Sequence, residues 1–303
     1  MMTSKGRIMN TPVHHKTVVV TGATSGIGYA ATGLLLQQGC SVIGIGRSAE
    51  RCRNVIAQMD GRPGRLEMLV ADLSLQSDVR HVAQLVRSAL ADLDRPCLDV
   101  LINNAATVPF WQTLTPEGFD MQWAVNHLAP FLLTWELLPL LRTAPAGRVI
   151  TVSSGSHYGA KLNWADIQLR RHYNPLRAYE QSKLANVLFT VELDRRLRID
   201  SPTRAFAADP GLVNTDIGLK SNSFIARWAW NLRRKGGITA EESARGLVYL
   251  ALEPSVQAAE SIYWKDCKPK AASTYAMNME AAGQLWKLSS QMCGLDVEEQ
   301  AYA

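Results

Sequence analysis

Cysteines are few in this sequence, and they follow no pattern. The 303-residue chain contains five, and no two of them form a Cys-x-x-Cys pair. An odd number of scattered thiols argues against a disulfide framework and a zinc site, and it predicts reduced cysteines in a cytoplasmic protein. His14 and His15 are adjacent, but no carboxylate or cysteine stands near them in sequence, so we expect no metal site.

The start of the chain also lacks a long apolar run. Residues 1–15 contain no hydrophobic stretch of the length that a signal peptide or a membrane anchor needs, and we expect them to form a flexible leader. The net charge at pH 7 is only +5, and the sequence has no nucleic-acid-binding motif. This charge suits an anionic small ligand or an anionic membrane surface and does not indicate a nucleic acid partner.

What the sequence does contain is an alternation of short β-branched runs with long amphipathic ones. The runs predicted as strands are 16–21, 41–46, 65–70, 98–103, 147–153, 203–208 and 261–266. Strand–helix–strand order, repeated this often, indicates a parallel sheet with right-handed crossovers and helices on both faces. We therefore predict an α/β fold with one doubly wound parallel sheet of about seven strands.

No repeat, low-complexity segment or linker divides the chain. We therefore predict a single dinucleotide-binding and catalytic domain over residues 16–267. Residues 268–303 are expected to form a C-terminal extension that contains one short helix.

A glycine-rich stretch, TGATSGIG, lies between the first predicted strand and the first predicted helix. Its three glycines omit side chains where the backbone must turn tightly, and the N–H groups and dipole of the following helix can face a pyrophosphate. In a strand–loop–helix unit such a loop indicates a Rossmann-type dinucleotide site, the alternative being a glycine-rich turn without a ligand. The cofactor-binding candidates in this loop are Gly22, Ser25, Gly26, Ile27 and Gly28.

Arg47 follows the second predicted strand, in the stretch GIGRS. A site for NAD usually carries an acidic residue near this point, where it accepts hydrogen bonds from the ribose hydroxyls. A carboxylate would repel a 2′-phosphate, whereas a guanidinium can bind one with charge-assisted hydrogen bonds. This position therefore predicts NADP(H) as the cofactor; the alternative is a solvated surface arginine.

Polar residues also stand where the third and fourth strands should end. Asp72 and Leu73 close the third strand, and Asp72 could accept a hydrogen bond from an adenine amino group. Asn103, Asn104 and Ala105 close the fourth. Asx residues are ordinary turn formers as well, so both interpretations of these five cofactor-binding candidates stay open.

The motifs, taken together, resemble those of the short-chain dehydrogenase/reductase family. TGATSGIG resembles its cofactor loop, NNAA its NNAG element, VSS at 152–154 its serine strand, YEQSK at 179–183 its YxxxK motif and DPG at 209–211 its PG turn. Other stretches, such as VNHLAPFLLTWELLPLL, are most similar to the retinol-dehydrogenase-like branch, which includes the WW-domain oxidoreductases. That resemblance implies NADP(H) and a lipophilic alcohol, aldehyde or ketone as substrate.

The resemblance assigns a catalytic tetrad of Asn126, Ser154, Tyr179 and Lys183. A tyrosine with an ordinary pKa of about 10 is a poor base at neutral pH, and an ammonium one helical turn away would lower that pKa. Lys183 would also hold the cofactor ribose, Ser154 would orient the substrate oxygen, and Asn126 would hold a relay water. Ser153 competes for the serine role, because adjacent strand residues point to opposite faces.

The family's loop over the nicotinamide carboxamide and pyrophosphate resembles the stretch after the sixth predicted strand. Its cofactor-binding candidates are Pro210, Gly211, Val213 and Thr215. Residues 212–236 would then be a substrate lid, and 219–235 could instead rest on a membrane or dock on the core as a plain helix. Tyr158 and Trp164 are candidate pocket walls.

These expectations describe an NADP(H)-dependent oxidoreductase that interconverts a lipophilic alcohol and its aldehyde or ketone. The alternative is a catalytically idle NADP(H)-binding redox sensor or scaffold, which the complete tetrad disfavours. The family resemblance also raises the prospect of a homodimer through two long helices.

Overall fold

The structure is a computed structural model, and it describes residues 16–93, 96–213 and 237–295. The first strand, β1 (Thr17–Thr21), shows how the core is built. Val19 lies in one hydrophobic cluster and Val18 and Val20 lie in a second, because successive strand residues point to opposite faces. A sheet that is apolar on both faces must be covered on both, and helices supply residues to each cluster.

The sheet is parallel except at one edge. The remaining strands are β2 (Ser41–Gly46), β3 (Arg65–Val70), β4 (Val100–Asn103), β5 (Arg148–Val152), β6 (Arg204–Asp209), β7 (Tyr263–Lys265) and β8 (Lys268–Pro269). The order β3-β2-β1-β4-β5-β6-β7-β8 confirms the predicted doubly wound parallel sheet. The predicted count of about seven strands omitted β8, which pairs antiparallel with β7. Two residues, one of them a proline, are too short a run to show a strand pattern.

Helices occupy connections between the strands, and one more follows the last strand. They are α1 (Gly26–Gln37), α2 (Ala49–Met59), α3 (Gln76–Asp92), α4 (Met121–Trp123), α5 (Ala129–Arg142), α6 (Pro175–Leu197), α7 (Ala240–Leu252) and α8 (Met279–Met292). A π-helical turn, Ala124–Leu128, joins α4 to α5. Local signals explain several helix starts: Asn174 caps α6, and Thr239 with Glu242 forms a capping box on α7.

The strand order reverses between β1 and β4. In an open α/β sheet, ligands bind beyond the carboxyl ends of the strands at such a reversal. Thr21 ends β1 and Asn103 ends β4, so the residues that follow them border the expected site.

The C-terminal helix α8 covers part of α5 and α6. The Trp286 ring centroid lies 5.0 Å from that of Phe131 on α5 and 6.0 Å from that of Phe189 on α6, and the Arg196 guanidinium lies 4.5 Å from the Trp286 ring centroid. The two long helices were the expected dimer surface, and α8 occupies a part of it. The homodimer stays a prediction, as does the division of the chain at residue 267.

One described helix, Met121–Arg142, is long and apolar enough to cross a membrane by length and composition. However, 67% of its most apolar window is buried inside the fold, where residues such as Leu132 and Leu137 belong to a core cluster. Packing against the sheet accounts for this apolarity. The membrane contact predicted for 219–235 and the leader 1–15 lie outside the described residues.

Candidate active site

The glycine loop has the shape that a phosphate site requires. Gly26 has a φ of +54°, and a Cβ atom on Gly28 would collide with the Gly22 carbonyl oxygen and lie 2.5 Å from Asn104 Nδ2. The side chain of Ser25, the N-cap of α1, makes no capping hydrogen bond. The first backbone N–H groups of α1 therefore have no side-chain cap and can serve an anion.

Thr21 holds this loop against the end of β4. The sequence motifs did not indicate this role for Thr21. The Thr21 Oγ1 accepts hydrogen bonds from the backbone N–H groups of Asn104 (2.9 Å) and Ala105 (3.0 Å). The Asn104 Nδ2 donates to the Thr21 carbonyl oxygen at 2.9 Å. Asn104 and Ala105 thus lie beside the glycine loop, as expected. The Asn104 side-chain amide joins this loop to the segment after β4. A threonine between the three valines of β1 and the first glycine of the loop was the available signal.

The Asn103 side chain turns away from the expected site, and the assignment of Asn103 as a cofactor-binding residue stays a prediction. Its side chain is buried, and its Nδ2 donates to Thr134 Oγ1 on α5 at 3.0 Å. The side chain therefore points into the fold, because residues that alternate along β4 face opposite sides of the sheet. Any contact between Asn103 and a cofactor must come from its backbone.

The adenosine end of the expected site is formed by the loops after β2 and β3. Arg47 is exposed just beyond β2, and the Ala23 N–H, which donates to the Ile45 carbonyl oxygen at 3.1 Å, ties β2 to the glycine loop. Asp72 and Leu73 are half-buried after β3. The Asp72 carboxylate accepts a hydrogen bond from Ser74 N–H at 3.0 Å, so it does form the ordinary Asx turn.

Helix α6 brings Tyr179 and Lys183 to the carboxyl end of β5. The Lys183 ammonium lies 5.6 Å from the Tyr179 ring centroid and donates to the Val152 carbonyl oxygen at 2.9 Å. Burial lowers the pKa of Lys183 to about 8. The Ser154 side chain is near enough to the Tyr179 phenol to lower its pKa, so three of the four tetrad residues lie in one region.

The two adjacent serines have different surroundings. Ser153 is buried, and its Oγ donates to the Lys183 carbonyl oxygen at 2.8 Å. Ser154 is half-buried at the start of a 3-10 helix, Gly155–Gly159, where its Oγ accepts from the Ser156 N–H at 3.2 Å. Ser154 therefore presents its hydroxyl to the site, whereas Ser153 fastens α6 to β5.

The pKa of Tyr179 differs from the expectation that Lys183 lowers it. Burial raises the pKa of Tyr179 above its ordinary value, the nearby Ser154 side chain opposes this rise, and the negative charge of Asp209 adds to it. The charged form of Lys183 is itself disfavoured by burial. Burial thus outweighs the nearby ammonium.

Asn126 lies in the π-helical turn, and its side-chain amide is fully engaged. The Oδ1 accepts from the Thr107 N–H at 2.8 Å, and the Nδ2 lies 3.0 Å from the Thr107 carbonyl oxygen and 3.2 Å from the Ser182 Oγ. These bonds tie the loop after β4 to α6. A relay water would therefore have to be held by the Asn126 backbone carbonyl.

The turn after β6 is held from three sides. The Gly211 N–H donates to the Asp209 carboxylate at 3.1 Å, the Pro210 carbonyl accepts from Ser243 Oγ at 2.8 Å, and Val213 forms a parallel bridge with Ile238. This fixes three of the four loop candidates beside β5 and β7. Thr215 and residues 214–236 of the predicted lid lie outside the described residues.

The start of the C-terminal extension contacts the serine turn, which the sequence did not indicate. The His157 Nδ1 lies 2.8 Å from the Ser154 carbonyl oxygen, and its Nε2 accepts from the Ser273 N–H at 3.2 Å. Tyr158 donates to the Ala271 carbonyl, and the Trp164 Nε1 donates to a phenol of the same extension. The two predicted pocket walls thus hold the extension in place.

Comparison with known proteins agrees with this geometry. Residues 16–225 match the short chain dehydrogenase family. The chain is 36% identical to retinol dehydrogenase 14 of Mus musculus over 297 residues, which cover 93% of this chain and 87% of that protein.

Two solved structures share the fold over most of the chain. One is an uncharacterised protein from Mycobacterium paratuberculosis, with 34% identity, a TM-score of 0.72 and coverage of 93% of this chain and 94% of that one. The other is the angucycline C-6 ketoreductase LanV with bound NADP, with 25% identity, a TM-score of 0.66 and coverage of 84% and 95%. The chain therefore belongs to the short-chain dehydrogenase family, in its retinol-dehydrogenase-like branch, and is an oxidoreductase with a nucleotide-binding Rossmann fold.

Proposed function

We propose that this protein is an NADP(H)-dependent oxidoreductase that interconverts a lipophilic alcohol and its aldehyde or ketone. The observation that carries the proposal is the position of the Lys183 ammonium, 5.6 Å from the Tyr179 ring and bonded to the Val152 carbonyl at the end of β5, two residues before Ser154. Few functions other than proton transfer to or from a substrate explain a phenol, a hydroxyl and an ammonium together at the carboxyl end of a parallel sheet.

Tyr179 is the general acid in reduction and the general base in oxidation. During reduction the carbonyl oxygen gains negative character, and a phenol within hydrogen-bond reach supplies the proton. Ser154 donates a second hydrogen bond to the same oxygen and so stabilises that charge. Lys183 stabilises the phenolate that remains and, through the Asn126 backbone carbonyl, exchanges protons with solvent. The nicotinamide, when bound, supplies or accepts the hydride.

The residues present fit a dinucleotide. The uncapped start of α1 suits the pyrophosphate, and the Gly28 position admits no side chain. The exposed Arg47 stands where a 2′-phosphate would lie, with no carboxylate in the GIGRS stretch. NADP bound to LanV, a relative by structure, adds support to the phosphorylated cofactor.

Exposed apolar side chains near the site support a lipophilic substrate. Leu212, which directly follows the Pro210–Gly211 turn, is 50% exposed, and Leu176, one helical turn before Tyr179, is 51% exposed. Large apolar side chains left in solvent often mark a surface where an apolar ligand binds. The similarity to a retinol dehydrogenase points the same way.

A panel of lipophilic aldehydes and ketones with NADPH tests the proposal. We expect the wild-type protein to oxidise NADPH with at least one of them, and Tyr179→Phe to lose this activity while still binding NADPH. Tyr249→Phe, on α7, is a matched control and should remain active. Binding of NADPH without turnover of any substrate by wild type would contradict the proposal and favour the idle sensor or scaffold.

A further inference from the structure

A buried carboxylate stands beside the proposed catalytic residues. Asp209 ends β6, next to the end of β5, because Val152 and Ala208 are paired in the sheet and the Ser153 N–H donates to the Ala208 carbonyl at 2.8 Å. The Asp209 side chain is only 4% exposed. A Cβ atom on Gly155, the residue after Ser154, would lie 3.5 Å from its Oδ2. Asp209 therefore faces the turn that carries Ser154. It also directly follows the strand partner of Val152, whose carbonyl accepts from the Lys183 ammonium that lies 5.6 Å from the Tyr179 ring.

Lys270 is the cationic partner of this carboxylate. Its Nζ lies 3.4 Å from Asp209 Oδ2 and 4.8 Å from the Tyr158 ring centroid, and its backbone N–H donates to the Tyr263 carbonyl at 2.9 Å. The lysine side chain is 37% exposed, so water screens the ammonium much more than it screens the carboxylate. The two charges of the pair are thus screened unequally, and the field of the Asp209 carboxylate is felt mainly inside the fold.

We propose that Asp209, opposed by Lys270, is a positioning residue that sets the pH range over which Tyr179 holds its proton. The inference rests on the proposed role of Tyr179 as the general acid and base. In the sequence, Asp209 is the first residue of the DPG stretch, and its type and position there indicate no role of its own.

The other charged or titratable groups around Tyr179 and Asp209 do not replace this carboxylate. Tyr263, on β7, is a buried phenol near Asp209, and burial raises its pKa, so it stays neutral. Tyr158 contacts Lys270 through its ring. Lys183, on the same helix as Tyr179, is cationic and acts in the opposite direction to Asp209. His157 donates through Nδ1 to the Ser154 carbonyl and accepts through Nε2 from Ser273 N–H, a pattern that requires the neutral ring, and burial lowers its pKa.

The sign of the effect follows from Coulomb's law. A buried negative charge near a phenol raises the free energy of the phenolate, so Asp209 raises the pKa of Tyr179. The protonated phenol is the form that reduction needs, and Asp209 extends its range toward alkaline pH. Lys270 offsets a part of this effect because it neutralises a part of the charge.

Two substitutions with opposite expected results test the inference. Asp209→Asn removes the charge and keeps an oxygen that can accept from the Gly211 N–H, so the turn is retained. Lys270→Gln leaves the carboxylate without its cation. We expect the pKa of Tyr179 to fall in the first variant and to rise in the second, each by on the order of one pH unit.

Tyrosinate absorbance, titrated with and without Tyr179→Phe in each background, isolates the ionisation of this one phenol without turnover. The alkaline limb of the kcat/KM profile for carbonyl reduction should move in the same two directions. Asp166→Asn removes an exposed carboxylate that bonds only backbone N–H groups near it, and it should move neither.

The two proposals fail in different ways. If both variants fold and Tyr179 titrates as in wild type, Asp209 only holds the Gly211 turn and the inference is wrong, even when Tyr179-dependent reduction is found. If the titration moves as expected but no carbonyl compound is reduced, the inference stands and the proposed function fails. Equal shifts in the Asp166→Asn control would also overturn the inference.

Discussion

Strands β1–β3 and strands β4–β7 both border the site, but they supply its residues in different ways. On the first side the proposed pyrophosphate contacts come from one continuous stretch, residues 21–28, and depend on backbone shape. On the second side Ser154, Tyr179 and Asp209 come from separate elements that meet only in the folded sheet. A site formed by backbone groups can therefore be predicted from one short stretch of sequence. A site formed by side chains of separate elements depends on tertiary contacts.

The largest effect is expected on the catalytic side, where the adjacent serines make a matched pair. Ser154→Ala removes the donor to the substrate oxygen and should lower kcat by about 10²–10³-fold. Ser153→Ala removes the buried hydrogen bond to the Lys183 carbonyl and should cost about 0.5–1.5 kcal/mol of unfolding free energy with a smaller effect on kcat. Steady-state kinetics and urea unfolding separate the two. A reversed order would exchange the roles assigned to the serines.

On the cofactor side, Gly28→Ala should weaken NADPH binding by about 3 kcal/mol. The added methyl group would collide with the Gly22 carbonyl oxygen and displace the loop. Gly283→Ala, in α8, is the control, because a Cβ atom there meets nothing within 4 Å. Calorimetric titration with NADPH measures both. Unchanged binding in Gly28→Ala would mean that the pyrophosphate lies elsewhere.

Arg47→Ala sharpens the cofactor side further, because it separates two cofactors. Loss of a charge-assisted contact should weaken NADPH binding by about 2 kcal/mol and leave NADH binding nearly unchanged. Arg53→Ala, on the neighbouring helix α2, controls for the general loss of positive charge. Titration with each nucleotide gives the difference, and equal losses for both would rule out a contact between Arg47 and the 2′-phosphate.

The smallest expected effect, taken per pH unit, is on stability and comes from His127. This residue is not part of the proposed cofactor or catalytic site. Burial lowers its pKa from 6.5 to about 3, and its Nε2 lies 2.8 Å from the Ser289 Oγ on α8. The unfolded chain binds a proton near pH 6.5 and the folded chain does not, so stability falls as pH decreases from there toward about 3. The expected slope from this group is about 1.4 kcal/mol per pH unit.

Urea unfolding at several pH values between neutral and mildly acidic tests this expectation. His127→Gln should lose less stability per pH unit than wild type, whatever its stability at neutral pH. Parallel pH dependence in the two proteins would show that His127 is already protonated in the folded state.

Much of the fold could be predicted from the sequence. The ranges predicted for the second and third strands are those observed for β2 and β3. Strand β2 is a short apolar run that is buried between two neighbours, and β3 is a half-exposed edge strand between turns. The two-residue β8 could not be predicted, since pairing with β7 and not local composition makes it a strand. The path of the extension across the serine turn was equally invisible, because its contacts join residues far apart in the chain.

The candidate site divides in the same manner. Motif spacing was sufficient to select the glycine loop, Tyr179 and Lys183. It could not show that the Asn103 side chain points away from the site toward Thr134. Nor could it show that the Asn126 side-chain amide is hydrogen-bonded to the Thr107 backbone. Side-chain direction depends on which partners the fold brings near, and these partners are remote in sequence.

The amino-acid sequence by itself determined the doubly wound sheet and the glycine loop, and it supplied Tyr179 and Lys183 as the pair proposed to transfer the proton, because each depends on local pattern and on residue chemistry. Only the tertiary structure decided that Ser153 bonds to the backbone of α6 while Ser154 lies in the turn after β5, and that a buried Asp209, paired with Lys270, faces that turn. The physical reason is that burial and Coulomb interactions depend on distance in space, which spacing along the chain does not specify.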